Sequence, residues 1–128
     1  MNKTILFVED DADDRELLLD VVRNTHPEVN VAFAENGLQA LQYLSEGQHQ
    51  LPNLIVLDIN MPILDGKETY KKIREELNID SIPIMIFTSS QNPNDKTLFN
   101  NLGVEFITKP DEFSHFSNVV DHMVGVCG

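Results

Sequence analysis

Short, unbroken apolar runs recur along this chain, and each ends on a polar residue able to do chemistry. Asp10 and Asp11 follow Thr4-Ile5-Leu6-Phe7-Val8, and Asp58 closes Leu54-Ile55-Val56-Leu57. Thr88 closes Ile84-Met85-Ile86-Phe87, and Lys109 follows Val104-Glu105-Phe106-Ile107-Thr108, with Pro110 next. A run without polar alternation reads as a strand buried on both faces, the mark of a parallel sheet. Segments of helical periodicity separate the runs, so the chain reads as α/β with helical crossovers. Parallel sheets bind their ligands outside the carboxyl ends of the strands. The sequence therefore predicts carboxylates, a hydroxyl and an ammonium gathered along one edge.

The first strand is expected at 3–8, and a helix at 13–24 with Leu18, Val21, Val22 and Thr25 on one face. Asp13, Asp14 and Glu16 crowd its first turn, where the helix dipole favours acids, and Pro27 ends it. Residues 29–34 read as an edge strand. Asn36-Gly37-Leu38-Gln39 resembles a capping box, opening a helix with Leu38, Leu41 and Leu44 inward and Gly47 at its close; 48–53 is a polar loop. A second box, Asp65-Gly66-Lys67-Glu68, opens a helix carrying Tyr70, Ile73 and Leu77 at helical spacing. Asn92-Pro93 supplies a cap and a first-turn proline for a helix with Leu98, Phe99 and Leu102 as its stripe and Gly103 at its end. The last helix carries Phe113, Phe116, Val120 and Met123. Simple alternation of this kind predicts one doubly wound α/β domain built on a five-stranded parallel sheet.

The 128 residues suit one domain, expected over 1–128, and 41% apolar content suits a globular core. A formal net charge of -12 argues against binding nucleic acid or an anionic membrane surface, both of which call for clustered Lys and Arg. Cys127, the single cysteine, has no internal disulfide partner, which fits a reducing cytoplasm. No apolar stretch reaches the length of a membrane span, and Met1-Asn2-Lys3 leads into the first strand without a signal-peptide core.

Asp10, Asp11 and Asp58 could not share a cleft cheaply as bare anions, since two charges about 4 Å apart repel by roughly 4 kcal/mol at an effective dielectric near 20. Protons or a hard divalent cation must offset that repulsion, and magnesium suits a few carboxylates, waters and a phosphate oxygen. Lys109 and Thr88 offer a point charge and a hydroxyl donor for phosphoryl oxygens, and Asp58 a nucleophilic carboxylate that would form an acyl phosphate. Ser89 is small enough to leave that path open. Each piece has a plainer reading. The pair Asp10 and Asp11 suits a helix start, Asp65 a cap, Thr88 and Ser89 a strand-end turn, and Phe106 the core. His26, His49, His115 and His122 lack metal-ligand spacing. Only the joint arrangement favours a site.

Phe7-Val8-Glu9-Asp10-Asp11, Leu57-Asp58-Ile59-Asn60-Met61-Pro62, Asp65-Gly66, Thr88-Ser89 and Ile107-Thr108-Lys109-Pro110, in that order, resemble the receiver domains of two-component response regulators. The resemblance spans essentially the whole chain, and it implies a flavodoxin-like fold, α/β with a doubly wound five-stranded parallel sheet in the order 2-1-3-4-5. It implies that Asp58 accepts a phosphoryl group from a sensor histidine kinase, a phosphotransfer protein or a small phosphodonor. It implies that Mg2+ is held by Asp11, Asp58 and the backbone carbonyl of Asn60 with Asp10 nearby, and that Thr88 and Lys109 hold phosphoryl oxygens. Phe106 matches the aromatic that turns inward as the threonine moves, although it lacks the hydroxyl of the family's common tyrosine. Small Ser90, two residues after Thr88, leads us to expect rapid self-dephosphorylation. No DNA-binding segment is evident, so output is expected to pass through another protein or through the remainder of a longer chain. Two rivals are a magnesium-dependent aspartyl phosphatase of small esters and an interaction module that works without phosphorylation. The first usually wants a second acid two residues after its nucleophile, where Asn60 stands.

Overall fold

Alternate residues of each apolar run face opposite ways, and both faces are covered. The computed structural model describes residues 3–46 and 51–128. Its strands are β1 (Thr4–Val8), β2 (Asn30–Ala34), β3 (Leu54–Leu57), β4 (Ile84–Thr88) and β5 (Glu105–Thr108). Its helices are α1 (Ala12–Thr25), α2 (Gly37–Ser45), α3 (Gly66–Glu75), α4 (Pro93–Asn101) and α5 (Phe113–Val126). The strands form one parallel sheet in the order β2-β1-β3-β4-β5, the flavodoxin-like arrangement expected.

Leu6, Val8, Ile55, Leu57, Ile84 and Ile86 face one core with Ala40, Leu44, Ile73 and Phe99 from α2, α3 and α4. Ile5, Phe7, Leu54, Val56, Met85 and Phe87 face the other, with Leu18, Val21 and Val22 of α1 and Phe116, Val120 and Met123 of α5. The period-two alternation of a strand makes this division. Each fully buried large side chain contributes about 1.5–3 kcal/mol. Register aligns the strand ends: Val8 lies beside Leu57, Leu57 beside Ile86, and Thr88 beside Thr108. The residues just past these positions therefore share one edge.

Several expected helix faces are displaced. Leu38, Leu98, Leu102 and Phe113 are exposed rather than inward. In α2 the buried set is Gly37, Ala40 and Leu44. Gly37 sits so close to α3 that a Cβ there would overlap the Thr69 hydroxyl, which fixes the rotation of the helix. In α4 the buried pair is Asp95 and Phe99, and Leu102 is already the C-cap. Phe113 is the first residue of α5, beyond its buried stripe. Leu77 lies past the end of α3 and still packs on the core. Gly47, His49 and the loop expected at 48–50 lie outside the described residues.

Candidate functional site

The end of β1 turns its acids in different directions. Glu9 stays in strand register, donating its N–H to Ala34 O at 2.9 Å, and is buried. Asp11 is the N-cap of α1: its Oδ1 accepts from the N–H groups of Asp13 at 2.9 Å and Asp14 at 3.1 Å. Such a cap satisfies donors at the helix start that have no intrahelical partner. The Asp11 carboxylate is thus engaged with the helix, although the residue lines the cleft beside it.

Asp58 follows β3 and is held by its backbone, whose N–H donates to Val8 O at 3.1 Å. Its Oδ1 accepts from the Ile59 N–H at 2.7 Å, and its Oδ2 lies 3.1 Å from Lys109 Nζ. Gly66, the first residue of α3, presses on the same loop; a Cβ there would overlap the Asp58 carbonyl oxygen. Only glycine permits that approach.

Lys109 follows β5, and its N–H donates to Thr88 O at 2.8 Å. Its ammonium meets three carboxylates: Glu9 at 2.6 Å, Asp14 at 2.7 Å and Asp58 at 3.1 Å. It also stands 6.0 Å above the Phe87 ring. Burial opposes the charge, but hydrogen bonds with Asp14 and Glu9 and the charges of Asp58 and Glu9 hold the Lys109 pKa above its ordinary value. Lys109 is therefore a permanent cation in the cleft.

Carboxylate oxygens of Glu9, Asp10 and Asp58 all lie within 4.8 Å of one another. They line a cleft of about 500 Å³ with Asn60, Ser89, Lys109 and the start of α1. Burial, then the charge of Asp58, pushes the Glu9 pKa up to about 8, against the lowering effect of Lys109 and of the Asp11 N–H. The cluster carries more negative charge than Lys109 neutralises. Clustered oxygen donors with uncompensated negative charge are what a hard divalent cation satisfies, so the residues fit such an ion.

Thr88 is fully buried at the end of β4, and its hydroxyl accepts from the Ser90 N–H at 3.2 Å. Phe106 is half-buried on β5 and meets Phe99 at a ring separation of 6.3 Å. The structure thus gathers Asp10, Asp11, Asp58, Asn60 and Lys109 at the cleft, while Thr88 is buried next to Ser89 and does not itself line it. Asp11 commits its Oδ1 to the helix cap, so the close carboxylate cluster is Glu9 with Asp10 and Asp58, and Asp14 joins through Lys109. One signal pointed that way. Asp11 with Asp14 three residues on has capping spacing, which leaves Glu9-Asp10 as the pair at the strand end. Among the described residues no other group has metal-ligating geometry. His26 pairs with Asp121 and Glu28, His115 with Glu112, and His122 with Glu105, all at the surface.

The family profile of the response regulator receiver domain matches residues 5–121. The chain belongs to the response regulator receiver family. The response regulator Rcp1 of Synechocystis is 32% identical over 112 residues, which cover 84% of this chain and 76% of that protein. The crystal structure of the phosphorylated cyanobacterial phytochrome response regulator RcpA superposes with a TM-score of 0.85 at 30% identity, covering 95% of this chain and 91% of that one. The Mn2+-bound form of Rcp1 superposes with a TM-score of 0.82 at 30% identity, covering 94% and 90%. Receiver domains are phosphorylation-based signalling modules of two-component systems, mostly without enzymatic activity of their own. They receive phosphoryl groups from histidine kinases and bind Mg2+ or Mn2+ in an acidic pocket. Among the described residues of this receiver domain, no helix is long and apolar enough to cross a membrane.

Proposed function

We propose that residues 1–128 form one cytoplasmic receiver domain in which Asp58 is the phosphoacceptor. The observation that carries this reading is the meeting of Asp58 Oδ2 with the Lys109 ammonium beside the Glu9–Asp10–Asp58 cluster. A carboxylate oxygen of Asp58 attacks the phosphorus of a phosphohistidine on a sensor kinase or phosphotransfer protein. An O–P bond forms, the P–N bond breaks, and its electron pair stays on the imidazole nitrogen. Discharge reverses the charge state. Water attacks phosphorus, the acyl O–P bond breaks with its electron pair left on Asp58, which regains its carboxylate, and the phosphate leaves as dihydrogen phosphate carrying both protons of the water.

Glu9, Asp10, Asp58 and the backbone carbonyl of Asn60 would hold Mg2+; Asp11 is left out of this set because its carboxylate caps α1. The bound ion supplies compensation for the carboxylates and for the charge on the phosphoryl oxygens. Lys109 exchanges a carboxylate contact for a phosphoryl oxygen without gaining or losing a proton. The Thr88 hydroxyl gives up the Ser90 N–H and turns to the phosphoryl group, and Phe106 follows it inward. Full reversal of a two-state equilibrium from 1:99 to 99:1 takes about 5.5 kcal/mol. Two charge-assisted bonds at about 1.5–3 kcal/mol each approach that figure, and binding of an output protein completes the shift. Ser90 is turned toward α4 and is absent from the cleft wall, which leaves water a path to the phosphoryl group and supports a short lifetime.

Incubation with Mg2+ and acetyl phosphate, followed by intact-mass measurement, tests the reading. A single phosphoryl adduct is expected on the wild type and none on Asp58→Ala. An unmodified wild type, or equal labelling of the two, overturns it. Multiple turnovers on ordinary phosphate monoesters would instead favour the phosphatase. Output binding unchanged by Asp58→Ala would favour the phosphorylation-independent module.

A further inference from the structure

Asp95 is a charged residue in the first turn of α4, yet it is only 4% exposed. An acid at this position favours the helix dipole from the surface, so the dipole does not account for its burial. Two partners do. Its Oδ2 accepts a hydrogen bond of 2.7 Å from the Ser90 hydroxyl. Its Oδ1 has Lys67 Nζ, reaching over from α3, at 2.8 Å and no aligned hydrogen-bond partner among the described residues. The Lys67 ammonium and the Ser90 hydroxyl hold the Asp95 carboxyl below the usual range, so it is ionised at neutral pH. Ser90 is gripped a second time, since its N–H donates to the Thr88 hydroxyl at 3.2 Å.

We propose that Asp95 and Lys67 are positioning residues for phosphoryl chemistry at Asp58, acting as a latch. Through Ser90 they hold the β4–α4 loop back against α4 and keep the Thr88 hydroxyl committed to the Ser90 N–H. This inference rests on the reading of Asp58 as phosphoacceptor and goes beyond it, because neither residue lines the cleft. The latch opposes the turn of Thr88 toward the phosphoryl group, and so biases the unlabelled protein toward its resting form. Its strength comes from one charge-assisted hydrogen bond and one ion pair with a half-exposed lysine, together worth a factor of roughly ten to a few hundred in the equilibrium. Phosphorylation overcomes such a latch, and removing it mimics part of phosphorylation.

The test compares Ser90→Ala, Lys67→Met and Asp95→Asn with the wild type and with Lys67→Arg, which keeps the charge. Two quantities are read: the rate of Asp58 labelling by acetyl phosphate at saturating Mg2+, and the Thr88 methyl resonance of the unlabelled protein. Ser90→Ala is expected to label roughly ten-fold faster or more, and Lys67→Met and Asp95→Asn roughly two- to five-fold faster. Each should also move the Thr88 resonance toward its position in the phosphorylated wild type, while Lys67→Arg stays near the wild type. Combining Ser90→Ala with Lys67→Met should add little, since both open one latch. If Asp95→Asn does not fold, the other two variants carry the test. Folded variants that label at the wild-type rate with an unmoved Thr88 resonance overturn the latch. A wild type that takes no label overturns the phosphoacceptor reading itself.

Discussion

Glu9 holds a carboxylate in a buried position, beside Asp58 and against the Lys109 ammonium. Burial and the Asp58 charge raise its pKa from 4.5 to about 8. A raised carboxyl pKa means that the folded protein holds this proton more tightly than the unfolded chain does. The stability it contributes is complete below the ordinary value and is lost as pH rises through about 8. A divalent cation reverses the trend, because it binds the carboxylate and releases the proton. The melting temperature of the metal-free protein should therefore fall as pH is raised from mildly acidic to mildly alkaline. The increment produced by a fixed Mg2+ concentration should grow over the same span. Thermal denaturation with and without Mg2+ measures both, and Glu9→Gln should flatten both. An Mg2+ increment independent of pH in the wild type would sink this account of Glu9. The strand-end positions of Asp58, Thr88 and Lys109 were readable in the sequence because each closes or follows an apolar run of a parallel sheet. Glu9 was not. Its one trace was indirect: the capping spacing of Asp11 and Asp14 leaves Glu9 and Asp10 for the strand end, and the backbone then decides that Glu9 stays in register.

At the scale of elements, the strands were more legible than the helix faces. A buried strand in a two-sided sheet is a continuous apolar run, and an error of one residue leaves it recognisable. Successive helical residues turn by about 100°, so the same error moves a side chain from core to solvent. In α4 the sequence shows Leu98, Phe99 and Leu102 together as a stripe, but α4 buries Phe99 with Asp95 and leaves the leucines on the outside. The reason lies in tertiary contacts. Phe99 inserts among Tyr70, at 5.8 Å edge to face, and Phe106, while Asp95 is drawn inward by Lys67 and Ser90. No local periodicity encodes that pairing. Replacing Phe99 by Ala should cost about 3–5 kcal/mol, as expected for a large buried aromatic. Leu98→Ala should stay within about 0.5 kcal/mol, as for an ordinary surface site. Urea denaturation of the two variants separates them, and equal losses would mean that the α4 rotation described here is wrong.

The whole molecule carries a formal charge of -12, and its acidic cleft lies at the carboxyl edge of the sheet. Overall topology was legible because alternation of runs and helical segments, with short connections, leaves few ways to wind a parallel sheet. The electrostatic consequence follows from composition together with the placement of the cleft. A field of this sign draws in a divalent cation and opposes a doubly charged small phosphodonor, whatever the local fit of either. Salt screens exposed charges over about 10 Å at 0.1 M. Raising KCl from about 10 to 150 mM should therefore weaken Mg2+ binding. At Mg2+ concentrations that remain saturating, it should speed labelling of Asp58 by acetyl phosphate. The opposite signs matter, because a general effect of salt on folding would move affinity and labelling rate the same way. Titration calorimetry gives the first quantity and intact-mass kinetics the second. Labelling that slows with salt under saturating Mg2+ would mean that Lys109 and the bound ion, rather than the surrounding acids, dominate the field met by an arriving donor.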